Sequence, residues 1–178
     1  MSTSETSTLF DAHYYATGCG QPYERTDAWL EAFDRIAQRI EQDIGPKTVL
    51  DAGCAMGFLV EKLRQRHIEA DGIDISDYAI SQVDSSVAAY CHAGSITEPF
   101  AKRYDLIVCI EVLEHMEGPA VESAIANFAN HTDDILFSST PHDFKEATHF
   151  SVFPPEHWAE LFARHGFYRD VDFEASFI

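Results

Sequence analysis

The sequence has no apolar run approaching the ~20 residues needed to cross a bilayer, and its first residues, MSTSETST, have neither the basic start nor the apolar core of a secretory signal. These absences predict a cytoplasmic chain with no membrane partner. Positive charge is scarce as well. Twelve Lys and Arg stand against 30 Asp and Glu, a formal charge of −18, and such a field repels nucleic-acid phosphates and anionic surfaces. Nucleic acid is therefore not the expected partner. The four cysteines, Cys19, Cys54, Cys91 and Cys109, include no Cys-x-x-Cys pair. In a chain without export signals they read as reduced thiols, Cys109 as small apolar filler. Internal repeats and linker-like stretches are also missing.

What is present is an ordinary globular composition, 46% hydrophobic over 178 residues, enough for one sizeable core. Only the first eight residues read as disordered. An aromatic, turn-rich stretch from Phe10 to Tyr23 precedes a helical pattern of Trp29, Phe33, Ile36, Ala37 and Ile40, closed by Gly45 and Pro46. From Lys47 short apolar strands alternate with helices. Strands are expected at 48–50, 70–75, 87–92, 104–110, 134–139 and 167–173, and Ser76 is expected to cap the helix after the second. Strands separated by helices imply parallel pairing through right-handed crossovers. The predicted fold is a doubly wound, Rossmann-like α/β sheet, mostly parallel, of six or seven strands with helices on both faces. Residues 1–46 are expected to form a lid or strap and first helix, and residues 47–178 the ligand-binding domain. With Ile178 soon after the sixth strand, a seventh is expected to be short, absent or supplied by a neighbour.

The first strand runs into Asp51-Ala52-Gly53-Cys54-Ala55-Met56-Gly57. Glycines at such a turn let a ligand approach the start of the next helix. The spacing is D-x-G-x-x-x-G and not the G-x-G-x-x-G of dinucleotide sites. A carboxylate at Asp51 would also oppose a pyrophosphate, whereas it suits a cation. S-adenosylmethionine, with a sulfonium, an ammonium and a ribose, meets these conditions, and Asp74, 23 residues after Asp51, stands where doubly wound folds place their ribose-binding acid.

Four blocks, Val49 to Gly57, Gly72 to Ser76, Tyr104 to Val108 and Glu111 to His115, make the chain resemble the class I S-adenosylmethionine-dependent methyltransferases from about Lys47 to Phe173. The resemblance implies that the turn of Asp51, Gly53, Cys54, Ala55 and Gly57 faces the methionine part of the cofactor. It further implies that Asp74 and Ile75 meet the ribose, that Ser95 and Ile96 lie against the adenine, and that Glu111 shapes the pocket.

Ligands in this fold meet the carboxyl ends of the strands, which directs attention to Glu111, Glu114 and His115 after the fourth. On a helical turn, offsets of zero, three and four share one face, so the two carboxylates and imidazole form a candidate set for a divalent metal, Zn²⁺, Mn²⁺ or Mg²⁺. His149, returning to the same sheet edge, is the candidate fourth ligand. The pattern is similar to that of ubiquinone-pathway enzymes that methylate catechol hydroxyls and of small-RNA enzymes that methylate a terminal ribose. In both, a Glu-x-x-Glu-His run and a later His are associated with a divalent metal. His115 or His142 is the candidate base. The stretch from Thr148 to Ile178 is similar to bacterial methyltransferases associated with glycan modification. The expected reaction is O-methylation of a small-molecule or saccharide acceptor. The alternatives are metal-independent N- or C-methylation and a regulatory protein that holds the cofactor without turnover.

Overall fold

The computed structural model describes residues 7–173. Of the first eight residues, expected to be disordered, six lie outside that range. The sheet has five strands: β1 (Thr48–Ala52), β2 (Glu69–Asp74), β3 (Cys91–Ala93), β4 (Leu106–Ile110) and β5 (Ile135–Ser138). They run parallel in the order β3-β2-β1-β4-β5, with Val49 opposite both Ala70 and Leu106. The chain steps outward from β1 to β3, then crosses back to β4 on the other side of β1. The order therefore reverses between β1 and β4, and a crevice opens at their carboxyl ends.

The helices follow the local signals. The six-residue α1 (Ala12–Thr17) starts at Asp11, whose side chain accepts from the His13 and Tyr14 amides. Next, α2 (Asp27–Arg39) is capped by Thr26 and passes through a π-turn, Ile40–Ile44, into left-handed Gly45. Between strands lie α3 (Phe58–Gln65) and α4 (Asp77–Ser81), the latter capped by Ser76 as its sequence predicts. Finally, α5 (Gly118–His131) and α6 (Pro155–Arg164) both carry proline in the first turn, Pro119 and Pro155, where its missing amide costs nothing.

Alternation along the strands feeds two cores. Val49, Leu106 and Val108 pack with Ile40 and Leu63 on one face, while Leu50, Ile107 and Cys109 pack with Ile125, Phe128 and Trp158 on the other. Cys109 is fully buried among apolar side chains, and all four cysteines are free thiols. A third cluster joins Phe10, Tyr15 and Tyr23 to Met56 and Phe58, laying the N-terminal segment across the end of the turn after β1. Arg25 fastens that segment through paired hydrogen bonds of 2.6 and 3.0 Å to the buried Glu61.

The fold class is as expected, with differences in the strands. There are five among the described residues, where six or seven were predicted. The sixth, expected over 167–173, does not form: a strand there would place Arg169 on the same face as Phe167, Val171 and Phe173, and Tyr168 and Val171 are 81% and 82% exposed. The third is short because Ala88–Tyr90 forms a 3-10 turn ahead of Cys91. Among the described residues no helix is long and apolar enough to cross a membrane.

Candidate functional site

A cavity of about 980 Å³ opens where the strand order reverses. That is the upper end of the roughly 300–1,000 Å³ usual for small-molecule sites. All the residues predicted from sequence to meet the cofactor line it except Gly57. Gly57 lies behind the wall, where its left-handed backbone starts α3.

The turn after β1 folds back on β2. The amides of Gly53 and Cys54 both donate to the Ile73 carbonyl, at 2.8 and 3.1 Å, and the Ala55 amide donates to Asp74 Oδ2 at 2.8 Å. Three successive N–H groups are thereby consumed. A phosphate, which this fold ordinarily holds with such amides, would find them already engaged, beside carboxylates that repel it. Gly53 has φ +93°, and a Cβ there would overlap the Val112 methyls, one of them at 2.9 Å, so the position is closed to any side chain.

Asp51 and Asp74 are 6% and 7% exposed. Burial, then the neighbouring Asp74, pushes the Asp51 carboxyl up to about 8. Burial also raises Asp74, opposed by the Ser76 and Ala55 amides that its two oxygens accept. Each Asp74 oxygen still has a lone pair to offer. Two buried acids at one end of a cavity form a strong cation-seeking pair.

Across the crevice, Glu111 lines the cavity at φ +53°, and its carboxylate accepts from the Ser138 hydroxyl at 2.8 Å. Ala55 has φ +46° on the opposite lip. Non-glycine residues in this conformation carry strain of about 1–3 kcal/mol and gather at functional sites.

Glu111, Glu114 and His115 do not form a metal-spaced group among the described residues, although the Glu111 and Glu114 carboxyls lie beside each other. Glu111 is left-handed, and Leu113–His115 form only a single 3-10 turn, so the helical turn that the spacing assumes is not there. Glu114 is fully buried away from the cavity, where its carbonyl accepts from the Phe150 and Ser151 amides and Oε1 accepts from Thr140. It pins down the loop after β5. Burial and then the nearby Glu111 push its carboxyl up to about 8. His142 is exposed and does not line the cavity.

His115 and His149 do come together. Their rings lie 4.6 Å apart, and Glu146 joins them, with Oε2 at 3.1 Å from His149 Nε2 and Oε1 at 3.9 Å from His115 Nδ1. Ligand-capable atoms of the three lie within 4.8 Å of one another. Glu146 was missed from sequence, although Glu146-Ala147-Thr148-His149 has the same Glu-x-x spacing that drew attention to Glu111. His149 Nδ1 lies 2.8 Å from the Asp143 carbonyl, and His115 Nδ1 lies 3.2 Å from the Thr148 carbonyl. A carbonyl only accepts, so the His115 ring carries a proton on Nδ1 and offers Nε2 as an acceptor, whereas His149 faces acceptors on both sides, the Asp143 carbonyl and the Glu146 carboxylate. Burial and then His149 lower the His115 pKa, opposed by Glu146 and by the Thr148 carbonyl. Tyr14 completes this corner, its Oη 3.5 Å from His115 Nε2. Burial raises its phenol pKa, so the proton stays on.

Comparison with known proteins gives a consistent result. The chain is similar to a ubiquinone biosynthesis O-methyltransferase of Azoarcus sp., 33% identical over 130 residues that cover 66% of this chain and 54% of the relative. It spans about half the length of the curated relatives it matches. Among solved structures, magnesium protoporphyrin IX methyltransferase of Synechocystis, with S-adenosylhomocysteine bound, superposes with a TM-score of 0.66 at 18% identity over 90% of this chain and 89% of that one. An amino pentose methyltransferase of Micromonospora echinaspora, with S-adenosylmethionine bound, gives a TM-score of 0.54 at 17% identity over 65% and 53%. At these identities the structures show a shared fold. The family model described as a methyltransferase domain matches residues 23–170, which takes in the whole sheet and the cofactor turn. The chain therefore belongs to the class I S-adenosylmethionine-dependent methyltransferases.

Proposed function

We propose that the protein binds S-adenosylmethionine across the carboxyl ends of β1, β2 and β4 and methylates a hydroxyl of a small-molecule or saccharide acceptor, with His115 taking the proton. The carrying observation is a part-buried imidazole, His115, whose Nδ1 faces the Thr148 carbonyl so that Nε2 is left to accept, in the cavity whose far end holds Asp51 and Asp74. Asp74 has lone pairs free for ribose hydroxyls, Asp51 supplies negative charge toward the cationic part, and Ser95 and Ile96 flank the base. When bound, S-adenosylmethionine supplies an electrophilic methyl carbon on sulfur. Against it His115 Nε2 accepts the acceptor's proton, and the Thr148 carbonyl holds the Nδ1–H that makes this possible. The O-methyltransferase relatives support hydroxyl acceptors, and the amino pentose enzyme supports a saccharide.

The test is methyl transfer from S-adenosylmethionine to catechol, D-glucosamine, D-glucose and an RNA oligonucleotide. Transfer to a small-molecule hydroxyl and not to RNA is expected. His115→Gln should lower kcat by about 10²- to 10⁴-fold, the range for a lost general base, without weakening cofactor binding. Products methylated on nitrogen or carbon, or no turnover, would contradict the reading.

A second reading rests on the His115, Glu146 and His149 grouping, which suits a divalent cation in ligand type and spacing. Bound there, such a cation would lower the pKa of an acceptor hydroxyl. A His115 nitrogen that ligates cannot also take the proton, so the readings are distinct. Metal analysis of protein purified without chelator decides between them: stoichiometric metal whose removal abolishes turnover supports the second, and full activity without metal excludes it.

A further inference from the structure

Tyr14 is seated with more care than a covering residue needs. Asp11 fixes the start of α1 by accepting from the His13 and Tyr14 amides at 2.9 and 3.0 Å. The Tyr14 ring stands edge-on to Phe10 and Tyr15, at 5.0 and 5.2 Å. Its other side lies against Gly18. That glycine has φ −86°, which any residue adopts, so its backbone gives no reason for glycine. The reason is steric: a Cβ at position 18 would lie 2.7 and 2.9 Å from Tyr14 Cδ2 and Cε2. Capping, ring packing and a missing side chain all serve to place one phenol in the cavity.

The phenol points at His115. Its Oη is 3.5 Å from Nε2, the nitrogen left bare because Nδ1 faces the Thr148 carbonyl. Ordinary hydrogen bonds from a hydroxyl have a heavy-atom separation of about 2.7–2.8 Å. The two groups thus face each other without a close hydrogen bond, and Cys19 and Glu146 also lie beside the phenol.

We propose that Tyr14 is a positioning residue for the acceptor: its phenol occupies the hydroxyl place beside His115 Nε2 in the free protein, and the incoming hydroxyl takes that place with Tyr14 as its second partner. In the occupied arrangement the acceptor O–H donates to Nε2 and the Tyr14 O–H donates to one acceptor lone pair. The other lone pair is left for the methyl carbon, and the proton that the acceptor loses ends on Nε2. Two fixed contacts orient the attacking oxygen, and misplacing such an atom by about 1 Å costs on the order of 10²-fold in rate. This inference rests on the reading of His115 as the base and goes beyond it by naming the group that aims the hydroxyl.

The experiment has an arm that needs no acceptor. In ¹⁵N-labelled protein, with His115 assigned through His115→Gln, Tyr14→Phe should move the Nε2 resonance downfield as it loses its donor. Gly18→Ala should do the same while keeping the phenol, because the new Cβ displaces the ring. The second arm is turnover of catechol: Tyr14→Phe should lower kcat 10- to 100-fold with the S-adenosylmethionine Kd unchanged. An Nε2 resonance identical in wild type and Tyr14→Phe overturns the proposal. So does a wild-type kcat in Tyr14→Phe when His115→Gln is impaired. If hydroxyl transfer is absent in wild type while the resonance still responds, the pairing of Tyr14 with His115 stands and the base reading falls.

Discussion

Replacing Gly53 with alanine is expected to remove S-adenosylmethionine binding, weakening it at least about 100-fold, or about 2.8 kcal/mol by the usual conversion of tenfold per 1.4. Two independent penalties meet at this residue. At φ +93° an L side chain is strained, and its Cβ would collide with both Val112 methyls. Val112 cannot retreat cheaply, because it follows Glu111, itself held at φ +53° by the Ser138 carbonyl on its amide and the Ser138 hydroxyl on its carboxylate. Relief must come from the turn, and moving the turn breaks the bonds from Gly53 and Cys54 to the Ile73 carbonyl and from Ala55 to Asp74. The variant should unfold at lower temperature and give no calorimetric signal with the cofactor. A Gly53→Ala protein that binds with wild-type affinity would mean that the turn is not part of the site.

Asp51→Asn should have the second large effect, with opposite signs in the free and bound protein. The Asp51 carboxyl is pushed up to about 8 by burial and by Asp74. A carboxyl with a raised folded pKa contributes stability below its unfolded value, about 3.9, and loses it as pH rises through the folded value. The free wild-type protein should therefore weaken between about pH 4 and 8, by an amount on the order of a few kcal/mol. Asn carries no charge, so the variant should be flatter across this window and more stable than wild type at pH 8. The cationic cofactor reverses the preference. At pH 7 its binding should drive the Asp51 proton off, so apparent binding heats should differ between phosphate and Tris buffers in proportion to their ionisation enthalpies. In Asp51→Asn that difference should vanish and affinity should fall about 10- to 100-fold. Equal heats in the two buffers for wild type would show that cofactor binding does not drive the Asp51 proton off.

The features legible in the sequence were those set by neighbours along the chain. Apolar runs of strand length, the glycines after β1, the Ser76 cap and the spacing from Asp51 to Asp74 needed no tertiary knowledge, and the structure places both acids on one cavity. His149 was found by a topological rule, since a residue following β5 returns to the carboxyl edge. The prediction for Glu111, Glu114 and His115 depended on a helical turn, and the backbone there reverses hand at Glu111 and closes only a 3-10 turn. Glu114 consequently went inward, and Glu146 filled the place beside the histidines. The apolar residues of 167–173 likewise read as a strand because alternation was counted without asking which face Arg169 would join. The contact between Tyr14 and His115 spans 101 residues and has no local signature at all. Aromatic composition could announce a covering segment there, but not the atom it would meet.

Cofactor binding depends on a cation-seeking crevice, floored by the buried Asp51 and Asp74 and bordered by Gly53, Cys54 and Ala55 amides that are already engaged. Isothermal titration of the purified chain with S-adenosylmethionine, and separately with a nicotinamide dinucleotide, examines that most directly. Saturable heat at one equivalent of the sulfonium compound and none with the dinucleotide is the predicted result. The reverse pattern would contradict it.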